Sequence, residues 1–170
     1  MTKRTLVVCY SLSNGNTRRI ARQVAEALSA DFEEIETLQP YSGSYDAIVD
    51  QGQQEVNSGY RSKLKPQIYD SRDYDVVVLA TPTWWYTMAP AVASYCQEHD
   101  WKGRSLVLVQ THGGWPGHTL EDLADACKGA AVIGELQVQF DSEGGDHLVS
   151  DPSLVEEWIA HLKQQIQKKR

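Results

Sequence analysis

Val76-Val77-Val78-Leu79-Ala80 runs straight into Thr81-Pro82-Thr83-Trp84-Trp85-Tyr86-Thr87-Met88, and this junction decides the fold. An unbroken apolar run rich in β-branched residues reads as a strand buried on both faces, the mark of a parallel sheet. Leu106-Val107-Leu108-Val109 repeats the pattern and leads into Thr111-His112-Gly113-Gly114-Trp115-Pro116-Gly117. Loops at the carboxyl ends of such strands are where open α/β sheets bind ligands. Three of the five tryptophans, Trp84, Trp85 and Trp115, stand on these two loops. Exposed aromatic rings stack well on flat ring systems, so the concentration points to a planar ligand.

Outward from this centre, strand and helix alternate. Leu6-Val7-Val8-Cys9-Tyr10 predicts a first buried strand, and Ile20, Val24, Ala27 and Leu28 then recur at helical spacing. Phe32 to Thr37 predicts a more polar strand nearer an edge. Tyr45, Ile48, Val49 and Val56 mark a weaker helix ending near Gly59. After the Val76 strand comes a short helix with Val92, Tyr95 and Cys96. After the Leu106 strand comes one with Leu120, Leu123, Ala124 and Cys127, for which Thr119 is the expected N-cap. Ala131 to Val138 predicts a fifth strand. Asp151-Pro152 opens a last helix with the buried stripe Val155, Trp158, Ile159, Leu162 and Ile166. The expected fold is an α/β doubly wound five-stranded parallel sheet of order 2-1-3-4-5, helices on both faces, in one domain over residues 1–170. The loops after strands one, three and four then converge.

The first of those loops, Ser11-Leu12-Ser13-Asn14-Gly15-Asn16-Thr17, is dense in hydroxyls and amides. Free N–H groups and the positive dipole end at a helix start make an anion site, and Gly15 allows close backbone approach. Arg18 and Arg19 oppose that dipole in the first turn, at about 0.3–1 kcal/mol each, which a nearby bound anion offsets. The stretch matches neither nucleotide-binding glycine signature. On the other two loops Trp84, Trp85, Tyr86 and Trp115 are candidate ring contacts, and one of Trp84 and Trp85 packs as core. Pro82 fixes the chain as it leaves the strand. Gly113 and Gly114 let N–H groups reach the polar edge of a ring, and His112 is a candidate hydrogen-bonding or titrating group.

The 170 residues are 41% hydrophobic and 23% charged, ordinary for a globular protein. A net charge of −7 argues against a nucleic-acid or anionic-membrane surface. No run approaches the length of a membrane span and no secretory leader is legible, so a cytoplasmic location is expected. Cys9, Cys96 and Cys127 form no C-x-x-C pair, and His99, His118, His147 and His161 show no metal-ligand spacing. No catalytic acid, base or nucleophile stands out. A hydrolase signature G-x-S-x-G is absent. A receiver domain is excluded because Thr81-Pro82 stands where its acceptor carboxylate belongs. Arg61, Lys63 and Lys65 either meet a nicotinamide phosphate or face solvent, and Lys168-Lys169-Arg170 suit the negative end of a helix.

Tyr10 to Thr17, Pro82 to Met88 and Thr111 to Gly114, with the Gly59-Tyr60-Arg61 segment, resemble the flavodoxin-like FMN-binding proteins, closest to a bacterial subgroup with P-x-W-W and T-x-G-G loops. The resemblance implies a flavodoxin fold holding one FMN. Ser11, Ser13, Asn14, Gly15, Asn16 and Thr17 would hold its phosphate. Pro82, Thr83, Trp84, Trp85 and Tyr86, with Thr111, His112, Gly113, Gly114 and Trp115, would flank its rings. The chain departs from the family pattern by an extra residue in the first loop, which leaves the key hydroxyl to Ser11 or Ser13. Tyr86 stands where the subgroup often has glycine. Implied functions are an oxidoreductase passing hydride or electrons between NAD(P)H and a quinone-like acceptor, or a one-electron carrier docking to a redox partner protein. A homodimer is compatible with either.

Overall fold

The computed structural model describes residues 3–168. In chain order the elements are β1 (Thr5–Cys9), α1 (Asn16–Leu28), β2 (Asp31–Glu34), α2 (Tyr45–Ser58), β3 (Val76–Trp84) and β4 (Thr87–Met88). They continue with α3 (Pro90–Glu98), β5 (Ser105–His112), α4 (Thr119–Ala126), β6 (Ala131–Gln139) and α5 (Pro152–Lys168). Five strands pair in parallel in the order β2-β1-β3-β5-β6, which is the expected 2-1-3-4-5 once the short β4 is set aside. Val7 lies beside Val78, and Leu79 beside Leu108.

Alternation along the central strands divides the core in two, because successive side chains leave opposite faces of a pleated sheet. Leu6, Val8, Val77, Leu79, Leu106 and Leu108 pack under α3 and α4. Val7, Cys9, Val76, Val78, Val107 and Val109 pack under α1 and α5. Both faces being covered explains why these strands read as continuous apolar runs. Cys9, Cys96 and Cys127 are free and buried, and loss of solvation pushes the Cys9 thiol up to about 12. Among the described residues no helix is long and apolar enough to cross a membrane.

Four local expectations change. The second strand spans only Asp31–Glu34 and not Phe32 to Thr37. Beyond it the chain leaves the sheet, Thr37 bridges Leu64, and the buried Glu33 carboxylate accepts the Ile68 N–H at 2.5 Å. The N-cap of α4 is His118, not Thr119. The Tyr86 carbonyl anchors the His118 N–H at 2.9 Å, and the Thr119 hydroxyl turns back to the Pro116 carbonyl at 3.0 Å. Trp158 is half-buried, at the margin of the α5 stripe. β4 itself went unanticipated. At the start of α5, Asp151 does accept the Ser153 N–H, at 2.9 Å. Lys169 and Arg170 of the basic tail lie outside the described residues.

Candidate functional site

The loop between β1 and α1 turns through two left-handed residues, Ser13 at φ 58° and Gly15 at φ 73°. Gly15 caps α1 with no side-chain cap bond of its own, so the Asn16 and Thr17 N–H groups stay available to a ligand. Ser11 is buried, and its Oγ accepts the Arg18 N–H at 3.2 Å. Of the two serines it is therefore Ser13 that faces the cavity. The expectation that a bound anion offsets Arg18 is corrected: its guanidinium forks onto Glu34 at the end of β2, with Nε–Oε2 at 2.8 Å and Nη2–Oε1 at 2.5 Å. Thr17 and Thr111 share a buried hydroxyl–hydroxyl bond of 2.7 Å, tying the first loop to the end of β5. Asn14 and Asn16 donate to the Gly144 and Gly145 carbonyls at 2.5 and 3.0 Å.

β3 extends past Ala80 to Trp84 because it folds back on β4, with Thr83 opposite Met88 and Trp84 opposite Thr87. Only Trp85 and Tyr86 join the two strands, at φ 51° and 69°. Positive φ at both central residues is the type I′ hairpin geometry, normally given to Asn-Gly because side chains crowd there. Three anchors hold it here. Gly117 backs onto Tyr86 so closely that a Cβ would come within 2.3 Å of its carbonyl oxygen. His118 N–H donates to that same oxygen, and the Thr87 hydroxyl donates to Asp122, whose carboxylate also meets His118 Nδ1 at 2.5 Å. Trp84 is the half-buried member of the pair, packed edge-on against Tyr10 and Tyr41 at 5.9 and 5.2 Å between centroids. Trp85 and Tyr86 are 40% and 53% exposed.

Beneath both loops, the fully buried Gln110 amide donates to Thr83 Oγ1 at 2.7 Å and to the Pro116 carbonyl at 2.6 Å. Thr83 donates in turn to the Thr111 carbonyl at 2.9 Å. One polar network thus sets the spacing of the three loops. His112 Nδ1 accepts the Gly114 N–H at 3.0 Å, and burial lowers the histidine's pKa, which favours a neutral ring. That bond corrects one expectation: the Gly114 N–H is spent on His112 and does not point at a ligand.

Two adjoining cavities result, of about 410 and 270 Å³, both bounded by Leu12, Ser13, Tyr45, Thr83, Trp84, Gly113 and Trp115. The smaller adds Asn14, Asn16, Thr17, Pro82, Thr111 and His112, and is the polar end. The larger adds Trp85 and Tyr86 and has no charged side chain in its lining. Thirteen of the sixteen expected residues therefore meet at one rim, whereas Ser11, Gly15 and Gly114 support it from behind. Two segments were missed. Ile48, Val49 and Gly52 of α2 roof the larger cavity, and Phe140, Asp141, Ser142, Gly144 and Gly145 close the smaller. A cap at Ser44 and the left-handed Gly59 mark α2 in the sequence, but nothing local says which face it presents. Chemically, the N–H groups, hydroxyls and amides at the α1 start suit an anion, with the Asp141 carboxylate on the opposite wall, and the other end suits a flat uncharged ring.

A comparison with curated protein sequences finds no match. Solved structures share the fold. A Bacteroides uniformis protein described as a flavoprotein superposes with a TM-score of 0.77 at 21% identity, covering 94% of this chain and 99% of that one. A Lactobacillus acidophilus flavoprotein in complex with FMN gives 0.67 at 16%, covering 92% and 99%. An NADH:FMN oxidoreductase in its apo form gives 0.60 at 12%, covering 99% and 92%. The family model for flavodoxin matches residues 4–142, from the strand that starts the sheet to the loop that closes the polar cavity, and the chain belongs to the flavodoxin family.

Proposed function

We propose that the protein binds one FMN non-covalently and passes hydride or electrons between NADH or NADPH and a quinone-like acceptor. The observation that carries this reading is the continuity of an anion-suited cavity at a helix N-terminus with an uncharged aromatic one. Ser13, Asn14, Asn16 and Thr17, with the N–H groups opening α1, would hold the phosphate ester. Trp84, Gly113 and Trp115 would flank the rings, with Trp85 and Tyr86 at the outer wall. The FMN complex of the Lactobacillus relative supports the assignment. Bound flavin supplies the hydride and electron chemistry, which is why the site needs no acid, base or nucleophile of its own. The chain's residues orient the ring and exclude water, and neutral His112 keeps a cationic charge away from it.

A second reading, a one-electron carrier docking to a basic redox protein, is favoured by the net charge of −7. Apo-protein titrated with FMN, FAD and riboflavin tests the shared premise: only the monophosphate should bind tightly. Loaded protein mixed with NADH or NADPH then separates the readings. Rapid bleaching supports the enzyme, and colour that persists with both nicotinamides supports the carrier.

A further inference from the structure

Among the described residues, Trp84 is the one side chain bounding both cavities that also packs against other aromatic rings. Its indole meets Tyr41 edge-on at 5.2 Å between centroids. The Tyr41 hydroxyl donates at 2.5 Å to Glu55 Oε2, on the C-terminal half of α2. Tyr41 and Glu55 border a separate cavity of about 380 Å³ beside α2, together with Tyr60, Ser62 and Lys63. A contiguous path therefore leads from the ring site, through one indole and one phenol, to a carboxylate at a second opening. Tyr10 touches Trp84 on another side at 5.9 Å, but no carboxylate hydrogen bond to its hydroxyl occurs among the described residues.

We propose that Trp84, Tyr41 and Glu55 form a radical relay that drains oxidising equivalents from the ring cavity to the second cavity beside α2. The proposal rests on the FMN reading for its natural oxidant, the light-excited oxidised flavin. In the first step Trp84 loses one electron to that oxidant and becomes an indole cation radical. In the second, Tyr41 gives one electron to the indole, restoring it, and its phenolic proton crosses the existing hydrogen bond to Glu55. The products are neutral Trp84, a Tyr41 phenoxyl radical, a protonated Glu55 and an oxidant carrying one added electron, so that electrons, charge and protons balance. A soluble one-electron reductant reaching the second cavity, ascorbate for example, returns Tyr41 to the phenol, while Glu55 gives back the proton.

The fork at Trp84 explains why Tyr41 is the terminus and not Tyr10. Oxidising a phenol without removing its proton creates a strongly acidic cation, and burial in a low dielectric makes that charge costly. Only Tyr41 has a base already in place. Its short bond to a carboxylate spares it from forming that cation, whereas the buried Tyr10, although Glu55 and Glu34 lie within electrostatic reach, hydrogen-bonds to neither. Glu55 is thus a positioning and proton-accepting residue, and Trp84 and Tyr41 are the redox-active pair.

The test is flash photolysis of the FMN-loaded protein, paired with azide-radical oxidation of the flavin-free chain, which attacks indoles directly. In both, the wild type should convert an indole radical signal into a phenoxyl signal. Y41F should lose that conversion and leave the Trp84 radical living about tenfold longer or more, the change that a barrier higher by about 1.4 kcal/mol produces. Y10F should behave as wild type. E55Q should slow the conversion and weaken its dependence on deuterated solvent. Equal phenoxyl yields in Y41F and wild type, or loss in Y10F instead, would overturn the relay. Because the radiolysis arm needs no flavin, a chain that fails to bind FMN but still shows the Tyr41-dependent step sinks the functional reading and leaves the relay standing.

Discussion

The two helices that frame the site are attached in opposite ways. α1 buries Thr17, Ile20, Ala21, Val24 and Ala25 against the sheet, whereas α2 buries only Gly52. Gly52 rests on Trp84, where an added Cβ would lie 3.3 Å from the indole. The difference assigns two jobs. The anion loop is an extension of the rigid core, because the helix it opens cannot shift without disturbing Val7, Cys9 and Val78. The roof over the ring cavity is held mainly by the Gly52–Trp84 contact, the Tyr41–Glu55 hydrogen bond and a cap at each end. Low local burial is what gives a segment a low opening free energy, so α2 should open for ligands while α1 stays put.

The sharpest way to break this contrast is a matched pair of truncations. Ile20→Ala should cost about 2–5 kcal/mol in denaturant unfolding, the range for a fully buried aliphatic. Val49→Ala on the half-buried face of α2 should cost under about 1.5 kcal/mol. Equal losses would mean that α2 is as firmly docked as α1. Next in size is Thr17→Val, which orphans the buried Thr111 hydroxyl. It should destabilise by about 1–3 kcal/mol and weaken FMN binding without changing the flavin spectrum.

A chemical version uses Cys9, which lies under α1. Its thiol is held protonated up to about 12 against an ordinary 9.0, mainly because burial disfavours the thiolate. A thiol reagent at pH 8 should leave it unmodified until denaturant unfolds the chain. The same shift makes the folded state keep a proton that the unfolded state loses. Its stabilising contribution is therefore complete below about pH 9 and fades as pH rises toward 12. Hydrogen exchange should show the reverse behaviour on α2, with its amides exchanging well before those of α1. Smallest of all is Gly52→Ala. Alanine favours helix by about 1 kcal/mol, while Trp84 must yield a few tenths of an ångström, so stability should move by under about 1 kcal/mol. The visible change should be in tryptophan fluorescence and FMN affinity.

Much of this was legible because it is local. Val76 to Ala80 and Leu106 to Val109 could be strands only in a sheet covered on both sides, and the hydroxyl-rich turn before α1 could be placed by chain order alone. What escaped was long-range or ran against local rules. Arg18 finds Glu34 on a neighbouring strand, and Asn14 finds Gly144 from the far end of the chain. No periodicity encodes either. The Trp85-Tyr86 turn was invisible because neither residue is one that a two-residue hairpin prefers. The choice between Trp84 and Trp85 was settled by α2, which supplies the ring-on-glycine contact from outside the loop.

That turn has a consequence for how the sequence can drift. Two bulky residues held at positive φ cost on the order of 1–3 kcal/mol each. Asparagine and glycine in their place would relax the backbone and toughen the protein against heat. They would also strip the outer wall from the larger cavity. Selection for durability alone would favour asparagine and glycine at Trp85 and Tyr86, so this turn trades backbone ease for an aromatic wall.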